Sequence, residues 1–405
     1  NEYFKVVIKA IEKVLPHLVD KVKQIGFGMV QLKTGKMSSR TGNIISAVDL
    51  VALVEKEVEK LSSEKKTIDA VGLAAIKYSF LKSEAKKTTI EDLRIIKEKI
   101  SAKEDGLKKI VSEWEKLMYE IPNIPDPSVP EGTTDEENGD VRMGPEPTPF
   151  TFPVKNHAEL LENLNLADLE RGTKVSGFRG YFLKNETVLL SMALWQFTMD
   201  TMVKKGYEPI MAPALVREEN LFGTGHFPQA REDVYKLAED DLYLAGTAEI
   251  PLMGYYRDEI LNEKNLPKKF IAFSPCFRRE AGSYGKDTKG IYRLHEFFKV
   301  EQLIYAPSNH ELSVELHEEL TSNAEEMLKA LELPYRIVTV CAGQLGRAHV
   351  KTYDLEVWIP SEKRYRESHS SSYYHDFQTR RLNIRYKTKE GGTRFCHSLN
   401  NTAIA

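Results

Sequence analysis

The chain has 405 residues, enough for two or three domains that each bury a core. Charged residues make up 29% of it, and no apolar run approaches the roughly eighteen residues that a membrane-spanning helix needs, which excludes a helical membrane protein. The net charge of −3 is unevenly divided: residues 1–120 carry 23 Lys and Arg against 18 Asp and Glu, and the other 285 carry 34 against 42. The mild basic excess at the N-terminal end suits either contact with nucleic-acid phosphates or a solvated helical surface.

In chain order, the first feature is a glycine-flanked basic turn, Gly35-Lys36-Met37-Ser38-Ser39-Arg40-Thr41-Gly42. Helical spacing follows over Val48 to Leu61 and again over Ile90 to Ile121. In the second stretch Leu107, Ile110, Trp114, Leu117 and Ile121 recur close to a heptad, a stripe for packing against another helix. Eight prolines and the acidic run Asp135-Glu136-Glu137 then predict an extended connector from Pro122 to Pro153. Beyond it, strands are predicted near residues 181–184, 270–275, 297–304, 336–341 and 354–359, with helices near 186–204 and 308–331. That uneven order predicts an α+β fold with an antiparallel sheet flanked by helices.

The densest chemistry lies in Phe277-Arg278-Arg279-Glu280, followed by Arg293-Leu294-His295-Glu296-Phe297 and Lys299-Val300-Glu301-Gln302. Arginine forks grip phosphate oxygens, an aromatic face covers a purine, and a carboxylate receives an ammonium. Turn formers between the arginines predict a strand-loop-strand hairpin with its charges on one face. Charge alone leaves open a solvated hairpin whose arginines pair with neighbouring glutamates. Cys276, Cys341 and Cys396 are scattered, which suits a reducing compartment and gives no zinc spacing. His157, His226, His295 and His310 are equally dispersed, and Ser370, Ser371 and Ser372 lack a nucleophile elbow.

These motifs together resemble the class II aminoacyl-tRNA synthetases, and from about residue 121 to 405 the wording is that of seryl-tRNA synthetases. The hairpin is similar to motif 2. Thr247-Ala248-Glu249 resembles the family's Thr-x-Glu loop, and Gly206 through Pro213 its motif 1, which ends in a dimer-forming proline. Glu367-Ser368-His369-Ser370 with Asp376-Phe377-Gln378-Thr379-Arg380-Arg381 resembles the strand facing ATP and metal and the signature after it. The implied function is serine–tRNA ligation: serine is activated with ATP and Mg²⁺ to seryl-adenylate, then transferred to tRNA(Ser), by a cytoplasmic homodimer.

Carried over residue by residue, the resemblance implies that Arg278 binds the α-phosphate and serine carboxylate, and that Arg293 holds the γ-phosphate. Glu280 would contact the adenine amino group, and Phe297 would stack on the ring. Thr247, Glu249 and Glu301 would surround the serine ammonium, with Thr402 reading the hydroxyl. Glu367 and Ser370 would complete the ATP and Mg²⁺ pocket, since Mg²⁺ takes hard oxygen ligands. Tyr373, His369 and Asn401-Thr402 depart from the residues the family usually shows at those positions. A Pro-Arg-containing motif 3 is expected beyond Ala405, so the reading is of a catalytic domain, 154–405, truncated before motif 3. The alternative reading is a non-catalytic or truncated module that dimerises and binds serine, ATP or tRNA.

Residues 1–95 resemble a different family. The Lys-Met-Ser loop and its surroundings are similar to arginyl-tRNA synthetase, a class I enzyme, but no His-x-Gly-His accompanies them. Lys36 is therefore read as part of a solvated turn. Residues 96–121 resemble the returning limb of the coiled-coil arm with which seryl-tRNA synthetases grasp their tRNA.

Overall fold

The computed structural model describes residues 90–405, with side chains from Lys97 onward and without Ser283, Tyr284, Lys286, Thr288 and Lys289. The Lys-Met-Ser loop, the helix expected over Val48 to Leu61 and nearly all of the arginyl-like segment lie outside the described residues. The chain divides into two units, residues 1–111 and 112–405.

Helix α1 spans Ile90–Glu120, as its spacing predicts. Its stripe is open: Leu107, Ile110, Trp114 and Leu117 are each 58–65% exposed. The reading of a stripe packed into a core does not hold for these four side chains. The proline-rich segment after it is extended and does more than connect, because Gly139–Met143 forms strand β1 at the edge of the main sheet.

The second unit is built on eight strands: β1, β2 (Glu208–Met211), β3 (Lys268–Phe277), β4 (Glu296–Ala306), β5 (Tyr335–Thr339), β6 (Lys351–Ile359), β7 (Arg364–His375) and β8 (His397–Ile404). They lie in the order β1-β5-β6-β7-β8-β4-β3-β2. The expected antiparallel sheet is found with one exception, since β2 runs parallel to β3 at the far edge. Helix α2 (Glu186–Lys204) reaches β2 through a short turn at Gly206, whose φ of +88° favours glycine.

Strand alternation decides what each face meets. Ile271 of β3, Val300 and Ile304 of β4, Tyr373 of β7 and Leu399 of β8 point to one face, where α2 and helix α4 (His310–Ala330) cover them. Asn309 caps α4, its side chain accepting from the Leu312 amide at 2.6 Å. On the other face Phe270, Ala272, Leu303 and Tyr305 pack under α3 (Glu249–Gly254) and the segment that follows α5 (Phe377–Arg381). Each fully buried Phe or Leu contributes about 1.5–3 kcal/mol. Tyr305 meets its polar requirement by donating to the Leu252 carbonyl at 2.6 Å.

Along β4 the second face reads Phe297, Lys299, Glu301, Leu303, Tyr305. Its apolar end lies beneath α3, and its charged end emerges into a cleft. The pattern of one strand thus marks where core stops and site begins.

Candidate active site

Strands β4, β7 and β8 supply the floor of the cleft by the same alternation. Thr402 lies directly opposite Glu301, and Ser372 opposite Asn400. Phe297 sits opposite Cys276, next to the point where β3 ends and Arg278 leaves the sheet. The Thr247-Ala248-Glu249 turn into α3 closes one wall.

Two adjoining cavities result. The inner one, about 240 Å³, is lined by Thr247, Glu249, Phe297, Glu301, Glu367, Ser370 and Thr402. The outer one, about 410 Å³, is lined by Glu280, Arg293 and the backbone around Gly246. Arg278, Thr247 and His226 border both. Every candidate side chain from residues scattered over Thr247 to Thr402 therefore meets at one place. Pro213 does not belong to it; it is exposed just beyond β2.

The inner end is dry and internally paired. Lys299 forms an ion pair with Glu301 and donates to Thr247 Oγ1 at 2.9 Å. Glu249 accepts from Gln378 Nε2 at 2.5 Å, and Ser398 Oγ donates to Gln378 Oε1 at 2.8 Å. Burial pushes the Glu301 carboxyl above its ordinary value, and the Lys299 ammonium pulls it back. Tyr374 donates to Asn400 Oδ1 at 2.9 Å and lies 3.3 Å from His349 Nε2.

The outer end is wetter. Arg278 is exposed, with its guanidinium 5.2 Å from the Phe297 ring centre and its Nε donating to the Gly246 carbonyl at 3.3 Å. Arg293 is ion-paired with Glu280 at 2.8 Å, and its Nε lies 3.5 Å from Asp287. His295 orients this end, its Nδ1 lying 3.0 Å from the Arg278 carbonyl. Glu367 opens to the cleft, but protein crowds its carboxyl. That crowding raises its pKa, Arg278 lowers it, and Glu356 on the neighbouring strand raises it again.

Motif reading alone did not assign Lys299, His226, His349, Tyr374 or Asn400 to the site. Lys299 was within reach of a period-two argument, because it stands between Phe297 and Glu301 on the same face. His226 and His349 were not, since only the fold carries their loops to the cleft. Gly223 and Thr224 form the buried end of the helix Glu218–Thr224, closed by Gly225 at φ +85°. The hydroxyl of Thr224 meets His226 Nδ1 at 2.9 Å.

Three of the sequence's departures fall on the face away from the cleft. Tyr373 donates to Asp126 at 2.7 Å, His369 lies 3.1 Å from the Ala403 carbonyl, and Asn401 donates to the Leu320 carbonyl at 2.8 Å. Only Thr402 changes the cleft itself.

Comparison with known proteins agrees with this geometry. Residues 234–405 match the class II core domain of tRNA synthetases for G, H, P, S and T. A serine–tRNA ligase of Deinococcus radiodurans is 44% identical over 315 residues, which cover 78% of this chain and 72% of that protein. One from Bdellovibrio bacteriovorus is 48% identical over 71% of this chain and 67% of its own. The crystal structure of seryl-tRNA synthetase from Pyrococcus horikoshii complexed with ATP superposes with a TM-score of 0.73 at 37% identity, covering 88% of this chain and 85% of that one. A cleft assembled on this sheet from segments that resemble motif 2 and the Thr-x-Glu loop, in a chain similar to such relatives over most of their length, makes the chain a member of the serine–tRNA ligase family of class II synthetases.

Proposed function

We propose that this protein is a serine–tRNA ligase that activates L-serine with ATP and transfers it to tRNA(Ser). The observation that carries this reading is the convergence of Arg278, Thr247, Glu301 and Thr402 on one inner cavity of about 240 Å³. That volume suits a small polar amino acid, and the cationic, aromatic-edged cavity beside it suits a nucleotide.

In this reading the serine ammonium sits among Thr247, Glu249 and Glu301, and the Thr402 hydroxyl meets the substrate hydroxyl. Arg278 bridges the two cavities and holds both the serine carboxylate and the α-phosphate. A carboxylate oxygen attacks the α-phosphorus in line, a P–O bond forms, and pyrophosphate leaves from the opposite side. Transfer to a terminal ribose hydroxyl of the tRNA then releases AMP. No protein nucleophile is needed, because positioning and charge stabilisation perform the chemistry. Phe297 offers its face to the adenine beside Arg278, and Glu280 lies where it can accept from the exocyclic amine. Arg293 exchanges its contact with Glu280 for the γ-phosphate.

The residues at the mouth fit Mg²⁺. Among the described residues no three His, Cys, Asp or Glu side chains form a closed metal cage, but Mg²⁺ bound with substrate phosphates requires only one or two carboxylates. Glu367, whose carboxyl is raised by crowding and by Glu356, gains from a nearby cation, and Ser370 adds a hydroxyl oxygen. When bound, the ion neutralises phosphate charge. Exposed apolar side chains on α2 and β2, among them Leu189, Leu190, Met192 and Met211, support a homodimer through the motif 1 region that ends at Pro213. The open stripe of α1 supports its reading as a limb of a tRNA-binding arm. Among the described residues no helix is long and apolar enough to cross a membrane, which accords with work in the cytoplasm.

Serine-dependent exchange of pyrophosphate into ATP tests the reading. Exchange with serine and at least 10³-fold less with alanine is expected, because a site built to bond a hydroxyl rejects its absence. Equal exchange with alanine, or none with serine, overturns it.

A further inference from the structure

The ammonium position inferred for serine already holds an ammonium. Lys299 Nζ contacts two of the three groups assigned to that position, donating to Thr247 Oγ1 at 2.9 Å and pairing with Glu301. Thr247 Oγ1 also accepts from the Glu249 amide at 3.2 Å, so both lone pairs of the hydroxyl are engaged. The Lys299 and Glu301 side chains are 8% and 2% exposed, so protein covers most of the pair. A second ammonium can bond Thr247 Oγ1 only if Lys299 lets go.

We propose that Lys299 is a positioning residue that holds the substrate-ammonium site in the empty protein, so that serine enters by exchanging one ammonium for another. The proposal rests on the reading of the inner cavity as a serine site. It gives a physical role to a buried lysine that the chemistry of adenylation does not otherwise use. The exchange gives Glu301 an ammonium partner both before and after binding. It also leaves the ammonium contact little net gain, so selectivity falls on the hydroxyl end. The charged and titratable groups facing Glu301 are Lys299 on its own strand, Glu249 from α3, Cys276 and Arg278 from β3 and its end, and Tyr374 from β7. Of the two cations Lys299 alone is paired with it, so without Lys299 the pull of burial towards the neutral acid is less opposed.

The test is calorimetric titration of L-serine into the unmodified protein and Lys299→Met, from pH 6.0 to 8.5, in buffers of different ionisation heat. At pH 6.0 the variant is expected to bind at least tenfold more weakly and to release up to one proton more per serine bound. The deficit should shrink as pH rises, because higher pH favours the ionised form of Glu301 in the variant. A deficit that is constant with pH, or absent, overturns the proposal, whereas failure of the unmodified protein to bind serine overturns the serine reading instead. If Lys299→Met does not fold, lysine-ammonium NMR on the unmodified protein decides, with Lys299→Arg used to assign the signal. A solvent-protected Lys299 resonance should shift with L-serine and stay in place with N,N,N-trimethyl-L-serine, whose ammonium has no N–H to donate. No shift with L-serine, or the same shift with both, overturns it.

Discussion

The two ends of the cleft use the same groups, carboxylates and cations, under opposite conditions. At the inner end Lys299 and Glu301 are almost wholly enclosed, whereas at the outer end Arg293, itself 34% exposed, pairs with a Glu280 that is 10% exposed, and Arg278 stands open. A buried pair cannot lose one member cheaply, because the survivor is left charged without water. An exposed pair can, because solvent takes the lost partner's place. The inner end therefore carries stability and recognition together. At the outer end the two separate.

The sharpest way to break this contrast is Glu301→Ala, which strands Lys299 and should cost about 3–5 kcal/mol of folding stability. Urea unfolding would measure it, and a loss below 1 kcal/mol would mean that water enters the inner end. Arg278→Ala should act the other way. Removing a transition-state charge donor lowers pyrophosphate exchange by about 10²–10³-fold, or roughly 3–4 kcal/mol. The unfolding midpoint should hardly move, and a matching fall in both would erase the distinction.

A comparison outside the cleft tests the same logic through pH. Burial raises the Asp126 carboxyl, but hydrogen bonds from Ser128 and Tyr373 and the charge of Lys351 outweigh it and bring the pKa down to about 2. A depressed carboxylate contributes stability that is complete above its ordinary value of 3.8 and is lost as pH falls through the folded value near 2. Asp126→Asn should therefore cost about 2 kcal/mol at pH 7 and flatten the stability profile between about pH 4 and 2. The buried histidines give the complementary limb. Burial lowers His317 and His369 from 6.5 to about 4, so each adds stability above pH 6.5 that is lost as pH falls towards 4. Acid titration of His317→Phe should lack part of that descent. The smallest effect expected is for Trp114→Ser on α1. At 58% exposure its stability change should stay within about 0.5 kcal/mol, checked by thermal unfolding.

Much of this was legible in the residues. The 3.6-residue spacing of α1 and α2, the aromatic and β-branched runs of β3 and β4, and the ordered motifs all hold their positions in the structure. Less legible was the edge strand Gly139–Met143, which sits among prolines and earns its place only by pairing with β5. The helix ending at Thr224 is hard to read for a similar reason. Its Gly-Thr-Gly reads as a loop until Gly223 is seen packed against Leu382, where an added Cβ would come within 2.2 Å.

By itself the sequence determined which chemistry is present, because motif identity and local periodicity depend on neighbours within a few positions. Arg278, Arg293, Phe297 and Glu301, close together in the sequence, already suggest a site for a nucleotide and an ammonium. Only the tertiary structure decided how those charges are balanced. Burial and pairing depend on residues far apart in the chain: Gln378 reaches Glu249 across 129 positions, and Lys299 reaches Thr247 across 52. A carboxylate enclosed with one cation on the floor and a carboxylate paired near the solvent-facing end are the same group in sequence, and their distance from water is a property of the fold.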